Sequence, residues 1–417
     1  MDVVITANSP GELWGWVRPV VGAVRDRFPE SRIFVFMLPC PYASGKEAQV
    51  ARTLPQIQGA FTPGQYFLYA LFGIRPKGFD PSKNCVIIHI GGDVMHSSFL
   101  AMRLRAPAFA YMWGNRLWDR FFRRYFVMNE CGVETLLRQH IQKDKILVVG
   151  NLLTDAVLDA LEKERNGRIE PPEDDPLSVC LLPGSRPYEV RYGVPFFLQV
   201  ADHMGKHLPD LEFSMVVSPF VSLDQLRDAL SRPPDPCIDA ARGTLVQNQA
   251  GWELRSESGT RVSLVLETPY QAMKESDLII TIPGTKCGEA GCLGRPMLVL
   301  LPLNKPEEIP FIGIVGLLNW IPFVGRPLKR YLVRQIAKRF GYVAQPNIYA
   351  QAPIVPELKG NLSAEDVANE ALLLLSDKDV RTRMENRLAE LFLPSRGASS
   401  RLVEILAEEI SCCSKPS

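Results

Sequence analysis

Four residues that suit an anion stand directly after an apolar run near the middle of this 417-residue sequence. The run S-V-C-L-L is followed by Pro183, Gly184, Ser185 and Arg186. The amides and hydroxyl of such a loop can donate to phosphate oxygens, and a guanidinium beside them adds positive charge. Arg186 could alternatively be a structural ion-pair partner of Glu189. We therefore expect a strand-end loop that faces an anion.

A second loop of the same kind follows the apolar run at residues 278–282. Gly284 and Thr285 precede a short helical pattern, which carries Glu289 about one turn from its start. Backbone N–H groups at a helix N-terminus and the positive end of the helix dipole favour a diphosphate. A carboxylate at Glu289 could accept hydrogen bonds from ribose hydroxyls.

Two titratable side chains follow an apolar run in the first half of the chain. Gly91 and Gly92 lead to Asp93, and His96 lies three residues further on. Asp93 could take a proton from a hydroxyl nucleophile, and His96 could do so if its pKa lies near neutrality. An aspartate in such a loop can also be an ordinary turn residue or helix cap. His89, inside the apolar run, is predicted to be a core histidine with satisfied hydrogen bonds.

The loop after the first apolar run reads T-A-N-S-P-G-E. Gly11 permits close backbone approach, Asn8 and Ser9 can cap the next helix, and Glu12 would lie on the floor of a cleft. The loop lacks the G-x-G-x-x-G pattern, and no acidic residue ends the second predicted strand, so nicotinamide-cofactor binding is disfavoured. The alternative is a capped helix start with no further role.

Short apolar runs alternate with helical patterns along most of the chain. Helical periodicity marks stretches such as 12–28, 134–141 and 194–207. Such alternation predicts an α/β fold built on parallel sheets, in which ligands bind at the carboxyl ends of strands. The predicted strands are 3–6, 33–38, 86–90, 108–112, 125–128, 146–149, 179–182, 213–217, 262–266, 278–282 and 297–301.

The length of the chain predicts two domains. A charged, proline-rich stretch, residues 162–178, is the predicted linker. We place the first domain at 1–165, the second at 176–378 and C-terminal helices at 379–417. The polar segment at 231–259 is predicted to be a hairpin or a loop insertion.

The composition is that of a globular protein with full cores: 46% of residues are hydrophobic and 22% are charged. The formal net charge of +1 provides no global attraction for nucleic acid. Nine cysteines without a C-x-x-C pair indicate a reducing compartment. The N-terminus has no signal-peptide pattern, and no stretch reaches the roughly 18 apolar residues of a spanning helix. We therefore expect a cytoplasmic protein.

Two stretches combine aromatic and apolar residues with cations. One runs from Ile309 to Phe340 and the other from Gln65 to Phe79. Such a composition suits insertion into a membrane interface with anionic headgroups, whereas the alternative for the first stretch is a buried hairpin followed by a solvated helix. The residues concerned are Phe311, Trp320, Phe323, Arg326, Lys329, Arg330, Arg334, Lys338 and Arg339 in the first stretch, and Tyr66, Phe67, Tyr69, Phe72, Arg75 and Lys77 in the second.

With these loops in place, the chain resembles the lipid-A-disaccharide synthase family over most of its length. That family reads L-L-P-G-S-R with a nearby glutamate, V-G-H-P-L-x-D-A, S-G-T-A-T-L-E…P-M-V and P-N…V-P-E-L. The similar stretches here, in the order in which the family motifs are given above, lie at 181–189, 149–157, 283–299 and 346–358. They occupy matching relative positions along the chain.

The resemblance implies the GT-B fold, with two Rossmann-like domains facing a cleft and C-terminal helices that cross back to the first domain or exchange within a homodimer. It implies an inverting glycosyltransferase with no metal or other cofactor, a UDP-linked acylated glucosamine donor and a membrane glycolipid acceptor. The first domain would bind the acceptor, with Asp93 as base, His96 in reserve and Glu12 beside them. The second domain would bind the UDP-sugar through Gly184, Ser185, Arg186, Gly284, Thr285, Glu289, Asn347 and Glu357.

The chain departs from that family most in its first half. G-E-A-S-G-D becomes residues 7–12, G-I-D-A-P-D becomes 91–96, the histidine of V-G-H becomes Asn151, and A-T-L-E becomes 286–289. We therefore expect a nucleotide-sugar transferase at the inner face of the plasma membrane, whatever its exact product. The alternatives are a UDP-sugar 2-epimerase of the same fold, which would act on a soluble donor, and a non-catalytic glycolipid-binding protein.

Overall fold

The computed structural model divides the chain into two compact units. Unit 1 comprises Met1–Val157 and Leu393–Ser417, and unit 2 comprises Leu158–Phe392. The boundary falls at residues 157 and 158, before the predicted linker, of which residues 166–175 lie outside the described residues. The structure describes residues 1–40, 45, 47–54, 56–165, 176–233, 235–309, 325–339 and 341–413.

Unit 1 is built on a seven-stranded parallel sheet with the order β3-β2-β1-β4-β5-β6-β7. Since β2 and β3 lie on one side of β1 and the later strands lie on the other, the strand order reverses between β1 and β4. The carboxyl ends of the strands at such a reversal form the usual ligand site of an α/β sheet. The strands are β1 (Asp2–Ala7), β2 (Arg32–Met37), β3 (Gly59–Phe61), β4 (Cys85–His89), β5 (Ala108–Tyr111), β6 (Phe122–Val127) and β7 (Ile146–Val148).

The helices of unit 1 begin where side chains cap them. Thr62 and Gln65 form a capping box at the start of α4, and Asn129 accepts the N–H of Gly132 at the start of α6. The helices are α1 (Pro10–Glu12), a π-helical segment (Leu13–Val17), α2 (Arg18–Arg27), α3 (Glu47–Ala51), α4 (Pro63–Phe72), α5 (Val94–Leu104) and α6 (Glu130–Arg138), with 3₁₀ turns at Asp119–Phe121 and Lys143–Lys145. Helix α7 (Leu152–Glu164) begins in unit 1 and continues into unit 2.

The strands of unit 1 are apolar because helices cover the sheet. All six residues of β1 are buried, as expected for a central parallel strand. One core cluster contains the stacked and edge-on rings of Phe34, Phe36, Phe61 and Phe79. The same cluster includes Val4 of β1 and Ile87 of β4, the two strands after which the candidate acceptor loops begin.

Unit 2 is built on an eight-stranded sheet with the order β10-β11-β12-β9-β8-β13-β14-β15. The pairs β10·β11 and β11·β12 are antiparallel, and the other pairs are parallel. The strand order reverses between β8 and β13, which again defines a ligand site at the carboxyl ends. The strands are β8 (Ser178–Leu182), β9 (Glu212–Val216), β10 (Gly243–Asn248), β11 (Gly251–Ser256), β12 (Arg261–Val265), β13 (Leu278–Thr281), β14 (Met297–Pro302) and β15 (Glu357–Gly360).

The helices of unit 2 include the two that follow the predicted phosphate loops, α8 and α11. Proline at the first position of α8 suits a helix start, because its fixed φ is already helical. The helices are α8 (Pro187–His207), α9 (Leu223–Ser231), α10 (Pro269–Glu275), α11 (Thr285–Cys292), α12 (Gly325–Arg339), α13 (Gln345–Ala350), α14 (Ala364–Ser376) and α15 (Lys378–Phe392), with a 3₁₀ turn at Pro306–Glu308.

The predicted α/β class with two parallel-sheet domains is confirmed, and each predicted strand is present with shifted ends. Two short strands, β3 and β15, were not predicted, because three residues of G-A-F and the polar run E-L-K-G carry no clear apolar pattern. The polar segment at 231–259 contains the hairpin of β10 and β11, which extends the sheet.

The C-terminal helices belong to different units, unlike the single group predicted at 379–417. Helix α15 lies in unit 2, where Phe392 packs against Gly291 of α11. A 3₁₀ turn (Leu393–Ser395) and the last helix, α16 (Ala398–Cys413), belong to unit 1. Buried Asp155 holds the start of α16 by accepting hydrogen bonds from the backbone N–H groups of Gly397 at 2.6 Å and Ser399 at 2.7 Å.

Candidate functional site

The loops after β1 and β4 leave neighbouring strands at the reversal of unit 1. Thr6 of β1 and His89 of β4 are partners in the sheet register. The predicted residues Glu12 and Asp93 therefore follow adjacent strand ends. The sheet brings these two loops of unit 1 together, and the roles predicted for Glu12 and Asp93 stay predictions.

Glu12 lies directly against the loop after β4. Its carboxylate accepts the backbone N–H of Asn8 at 2.9 Å, and a Cβ atom at Gly91 would overlap with the same carboxylate. Burial raises the pKa of Glu12 to about 7, against the lowering effect of hydrogen bonds from the backbone of Asn8 and Ser9. A carboxyl group with this pKa can hold or release a proton near neutral pH.

Asp93 is the N-cap of α5. Its side chain is exposed and accepts the backbone N–H of Met95 at 2.8 Å. The structure therefore shows the capping role that the sequence left open as an alternative. A part for Asp93 in proton transfer stays a prediction.

His96 is held by a tyrosine that the sequence analysis had placed elsewhere. Tyr66 is fully buried, and its hydroxyl lies 2.9 Å from Nδ1 of His96. Burial lowers the pKa of His96, and the negative charge of Asp93 opposes this shift only in part. Neutral imidazole is thus favoured at position 96, and Tyr66 is a core residue, not part of a membrane surface.

His89 lies in the core below these loops, where it was predicted, but its Nε2 atom has no hydrogen-bond partner among the described residues, so the prediction of satisfied hydrogen bonds does not hold at that atom. Its Nδ1 is 2.7 Å from the hydroxyl of Ser97 and 3.2 Å from that of Thr6. Burial lowers the pKa of His89 to about 4, despite the opposing charge of Asp93. The imidazole is therefore neutral and ties β1, β4 and α5 together.

The loop after β8 is organised by Glu189. The Glu189 carboxylate accepts the backbone N–H groups of Ser185 at 2.8 Å and Arg186 at 2.9 Å, and it pairs with the Arg186 guanidinium at 3.3 Å. Gly184 has a φ of +101°, and a Cβ atom there would overlap with the same carboxylate. Of the two amides predicted to face a phosphate, those of Gly184 and Ser185, the Ser185 amide already donates to a carboxylate of the chain in this structure. The anion-binding role of the loop stays a prediction. The exposed Ser185 hydroxyl and Arg186 side chain remain the groups that suit an anion.

The loop after β13 lies beside the loop after β8, because Thr281 and Leu182 are register partners. Gly284 is the N-cap of α11 and has a φ of +155°, and Thr285 is the first residue of the helix. Glu289 is buried and pairs with Lys286 at 2.6 Å. Lys286 was not among the residues predicted for this loop, although a lysine in the first turn of a helix in a predicted anion loop was visible in the sequence.

Asn347 and Glu357 stabilise the chain that precedes β15. The Asn347 side chain is fully buried, accepts the N–H groups of Ile354 and Val355, and donates to Glu357 at 2.9 Å. Although burial alone raises the pKa of Glu357, hydrogen bonds that include those from Lys359 and Asn347 lower it overall. These bonds show a structural role, which differs from the nucleotide contact that the resemblance implied.

The predicted membrane stretch at 309–340 is described only in part. Its aromatic residues Phe311, Trp320 and Phe323 lie outside the described residues. Two of its cations are structural: buried Lys329 donates to the carbonyl of Glu307 at 2.6 Å, and Arg330 pairs with the Glu307 carboxylate at 2.6 Å. These two cations therefore hold the turn before α12, which is not the headgroup-facing role predicted for them.

The second predicted membrane stretch presents an apolar helix face. Tyr66 and Tyr69 of α4 are buried in the core, whereas their neighbours on the opposite face are exposed. An apolar face of this kind on a helix is unusual for a surface that faces only water. The exposed residues are Phe67, Leu68, Leu71, Phe72 and Ile74.

The loop after β5 also exposes large apolar side chains. Trp113 and Leu117 keep 50% and 79% of their accessible surface, and Met112 before them has a φ of +67°. Backbone strain at a non-glycine residue is common at functional sites. The sequence analysis missed this loop, because it took Met112 as the last residue of a strand. The loop lies next to the loop of Asp93, since β4 and β5 are paired.

Neither a membrane-spanning helix nor a metal cluster occurs in the part of the chain that the structure describes. No helix there is both long and apolar enough to cross a bilayer. No three His, Cys, Asp or Glu side chains there are grouped as ligands for a metal ion. The predicted independence from metal stays a prediction.

Comparison with known sequences shows similarity to one family over half of the chain. The chain is 30% identical over 230 residues to the lipid-A-disaccharide synthase of Anaeromyxobacter dehalogenans (strain 2CP-1), which covers 54% of this chain and 48% of that protein. It is 21% identical over 244 residues to the lipid-A-disaccharide synthase of Syntrophus aciditrophicus (strain SB), covering 58% and 51%. The chain thus spans about half the length of the curated relatives it matches. No family model matches the chain.

Comparison with solved structures shows the fold. The UDP-GlcNAc 2-epimerase of Neisseria meningitidis, solved with UDP-GlcNAc bound, matches with a TM-score of 0.54 at 16% identity, covering 98% of this chain and 100% of that one. The UDP-GlcNAc 2-epimerase of Methanocaldococcus jannaschii matches with a TM-score of 0.51 at 14% identity, covering 98% and 100%. The GT-B class of fold predicted from the sequence is confirmed.

The pKa of Glu12 predicts a pH-dependent contribution to stability. Its folded-state value of about 7 lies above the ordinary value of 4.5, so between these values the folded state holds a proton that the unfolded chain has lost. The stabilising effect is full below pH 4.5 and is lost as the pH rises through 7. We expect wild type to lose roughly 3 kcal/mol of unfolding free energy relative to Glu12→Gln between pH 4.5 and pH 8. Denaturant unfolding of both proteins across this range measures the difference.

Glu134→Gln is the matched control, because Glu134 is exposed on α6 of the same unit. Its unfolding free energy should follow that of wild type at every pH. Parallel curves for wild type and Glu12→Gln would show that Glu12 has an ordinary pKa.

Proposed function

We propose that this protein is an inverting glycosyltransferase that moves a sugar from a UDP-sugar to a membrane glycolipid. The observation that carries the proposal is the half-buried Glu12 carboxyl against the loop after β4, whose pKa of about 7 suits a base for an acceptor hydroxyl. The similarity to lipid-A-disaccharide synthases supports the choice of reaction, and UDP-diacylglucosamine is the donor that it favours.

In the proposed reaction, the acceptor hydroxyl oxygen attacks the anomeric carbon of the donor sugar. The new carbon–oxygen bond forms on the face opposite the bond to the diphosphate, which breaks as UDP leaves with its electron pair. Glu12 takes the hydroxyl proton in this step. Asp93, the base predicted from sequence, instead orients the loop by capping α5. Because Nδ1 of neutral His96 contacts Tyr66, its Nε2 atom forms the hydrogen bond to the acceptor in this reaction.

The donor is proposed to bind at the strand reversal of unit 2. Arg186 supplies positive charge, and Ser185 supplies a hydroxyl. The turn of Gly284 and Thr285 supplies the positive end of the α11 dipole. Charge that develops on the departing diphosphate is stabilised by these groups. Glu289 accepts from the ribose through the carboxylate oxygen that Lys286 does not use.

The acceptor is proposed to reach unit 1 from a membrane surface. The exposed apolar face of α4 is followed by Arg75 and Lys77, a pattern that suits an interface with anionic headgroups. The protein would then act at the cytoplasmic face of the plasma membrane without spanning it.

A binding measurement with vesicles tests this surface. The double variant Leu71→Ser and Phe72→Ser should lose most of its co-sedimentation with phosphatidylglycerol vesicles, because each change removes exposed apolar contact. Leu373→Ser, a change of the same kind at an exposed leucine on α14, should bind like wild type. Equal sedimentation of all three proteins would refute a membrane role for α4.

Transfer of radiolabelled sugar from a panel of UDP-sugars into lipid extract tests the reaction. Wild type should carry label into the organic phase with one donor. Glu12→Gln should lower the rate by a factor of roughly 10²–10⁴, because general-base catalysis contributes about that much. Asp93→Asn should stay within a few-fold of wild type, since asparagine also caps helices.

A second candidate function is UDP-sugar 2-epimerisation, favoured by the fold shared with UDP-GlcNAc 2-epimerases. The same panel separates the two reactions. Interconversion of free UDP-sugars with no label in lipid would replace the glycosyltransferase proposal by the epimerase. Loss of transfer in Asp93→Asn with full activity in Glu12→Gln would move the base from Glu12 to Asp93.

A further inference from the structure

Lys286 is a cation in a position where a helix disfavours one. It is the second residue of α11, and the N-terminal turn of a helix carries partial positive charge. Its side chain keeps only 29% of its accessible surface, so the charge is also partly removed from water. Position and burial both oppose an ammonium group here, and both effects would be absent with an apolar residue.

The ammonium group is nevertheless held in its charged form. Burial lowers the pKa of Lys286, but the Glu289 carboxylate, with smaller effects from Tyr270 and Cys180, raises it overall. The Nζ atom lies 2.6 Å from Oε2 of Glu289 and 5.4 Å from the centre of the Tyr270 ring. The pair is built into the fold at the strand reversal of unit 2.

Glu289 accepts only one of the hydrogen bonds that the Lys286 ammonium group can donate. An ammonium group has three N–H donors, and among the described residues the structure records one acceptor for them, the Glu289 carboxylate. The remaining donors are suited to an anionic partner, since hydrogen bonds from a charged donor are strongest to charged acceptors.

The neighbouring loop, which follows β8, offers few free backbone donors for an anion. The amides of Ser185 and Arg186 already donate to Glu189, so they do not offer a backbone anion site. On the β8 side of the reversal, positive charge therefore comes from side chains, and on the β13 side Lys286 adds a full charge to the helix dipole of α11. The family motif that the chain resembles has alanine where this chain has Lys286, so the motif itself does not carry this cation.

We propose that Lys286 binds the diphosphate of the donor through the N–H groups that Glu289 leaves unmet. The inference rests on the proposed use of a UDP-sugar and adds a residue to the donor site. In that role Glu289 keeps Lys286 charged and aimed at the end of α11, while Lys286 neutralises the phosphate nearest the sugar. The cation would strengthen the binding of UDP, which carries a diphosphate, and would hardly affect the binding of uridine, which has none.

Titration calorimetry with UDP, UMP and uridine tests the inference. The variant Lys286→Gln keeps a donor for Glu289 but removes the charge, and Lys286→Arg keeps the charge. We expect Lys286→Gln to weaken UDP binding at least about tenfold and uridine binding less than about twofold, with Lys286→Arg within about threefold of wild type. Lys206→Gln, at an exposed lysine near the end of α8, should bind all three ligands like wild type.

The outcomes separate this inference from the proposed function. If wild type binds UDP and Lys286→Gln binds it equally well, Lys286 is not a donor-binding residue, whereas the proposed function stands. Equal weakening of UDP and uridine in Lys286→Gln and in Lys286→Arg would also overturn the inference, because it would show a structural role. Failure of wild type to bind any of the three ligands would overturn the proposed function and the inference together.

Discussion

The reversal of strand order in each sheet is the constraint on which the rest of the structure depends. A parallel sheet sends all of its strand-end loops to one edge, but only at a reversal do two loops diverge to opposite faces and leave a crevice between them. Unit 1 has its reversal between β1 and β4, and unit 2 has its reversal between β8 and β13. Each of the four loops with candidate chemistry leaves one of these four strands. The same rule of sheet topology therefore places the candidate acid–base group in one unit and the candidate phosphate-binding groups in the other.

Carboxylates of the chain itself shape three of these loops. Glu12 lies against Gly91, Glu189 accepts two amides beside Gly184, and Glu289 pairs with Lys286. In the first two cases the glycine is required by close contact with the carboxylate. The carboxylates differ in what surrounds them. Glu12 is half-buried with no ion pair recorded among the described residues, and burial raises its pKa, whereas Glu189 and Glu289 have cationic partners. A carboxyl without a cation can exchange a proton near neutral pH, and a carboxylate beside a cation organises charge for an anionic ligand.

The sequence was sufficient for the fold and for the positions of the loops, because apolar runs, their lengths and their glycine-rich ends are local signals. The sequence could not show which polar atoms already form hydrogen bonds within the folded chain. The capping bond of Asp93, the contact of Tyr66 with His96 and the four hydrogen bonds of Asn347 all depend on chain segments brought together by folding. Lys286 stood in a loop that was predicted to bind an anion, but its ion pair with Glu289 and its contact with the Tyr270 ring appear only in the folded chain.

The most direct test of the account is hydrogen exchange of the wild-type chain, followed by mass spectrometry, with and without UDP. If the reversal of unit 2 is the donor site, UDP should slow exchange in peptides that cover residues 183–189 and 283–289, with little change in β10 and β11. Protection confined to another part of unit 2, such as the cavity lined by Tyr192, Ala229 and Arg232, would contradict the account.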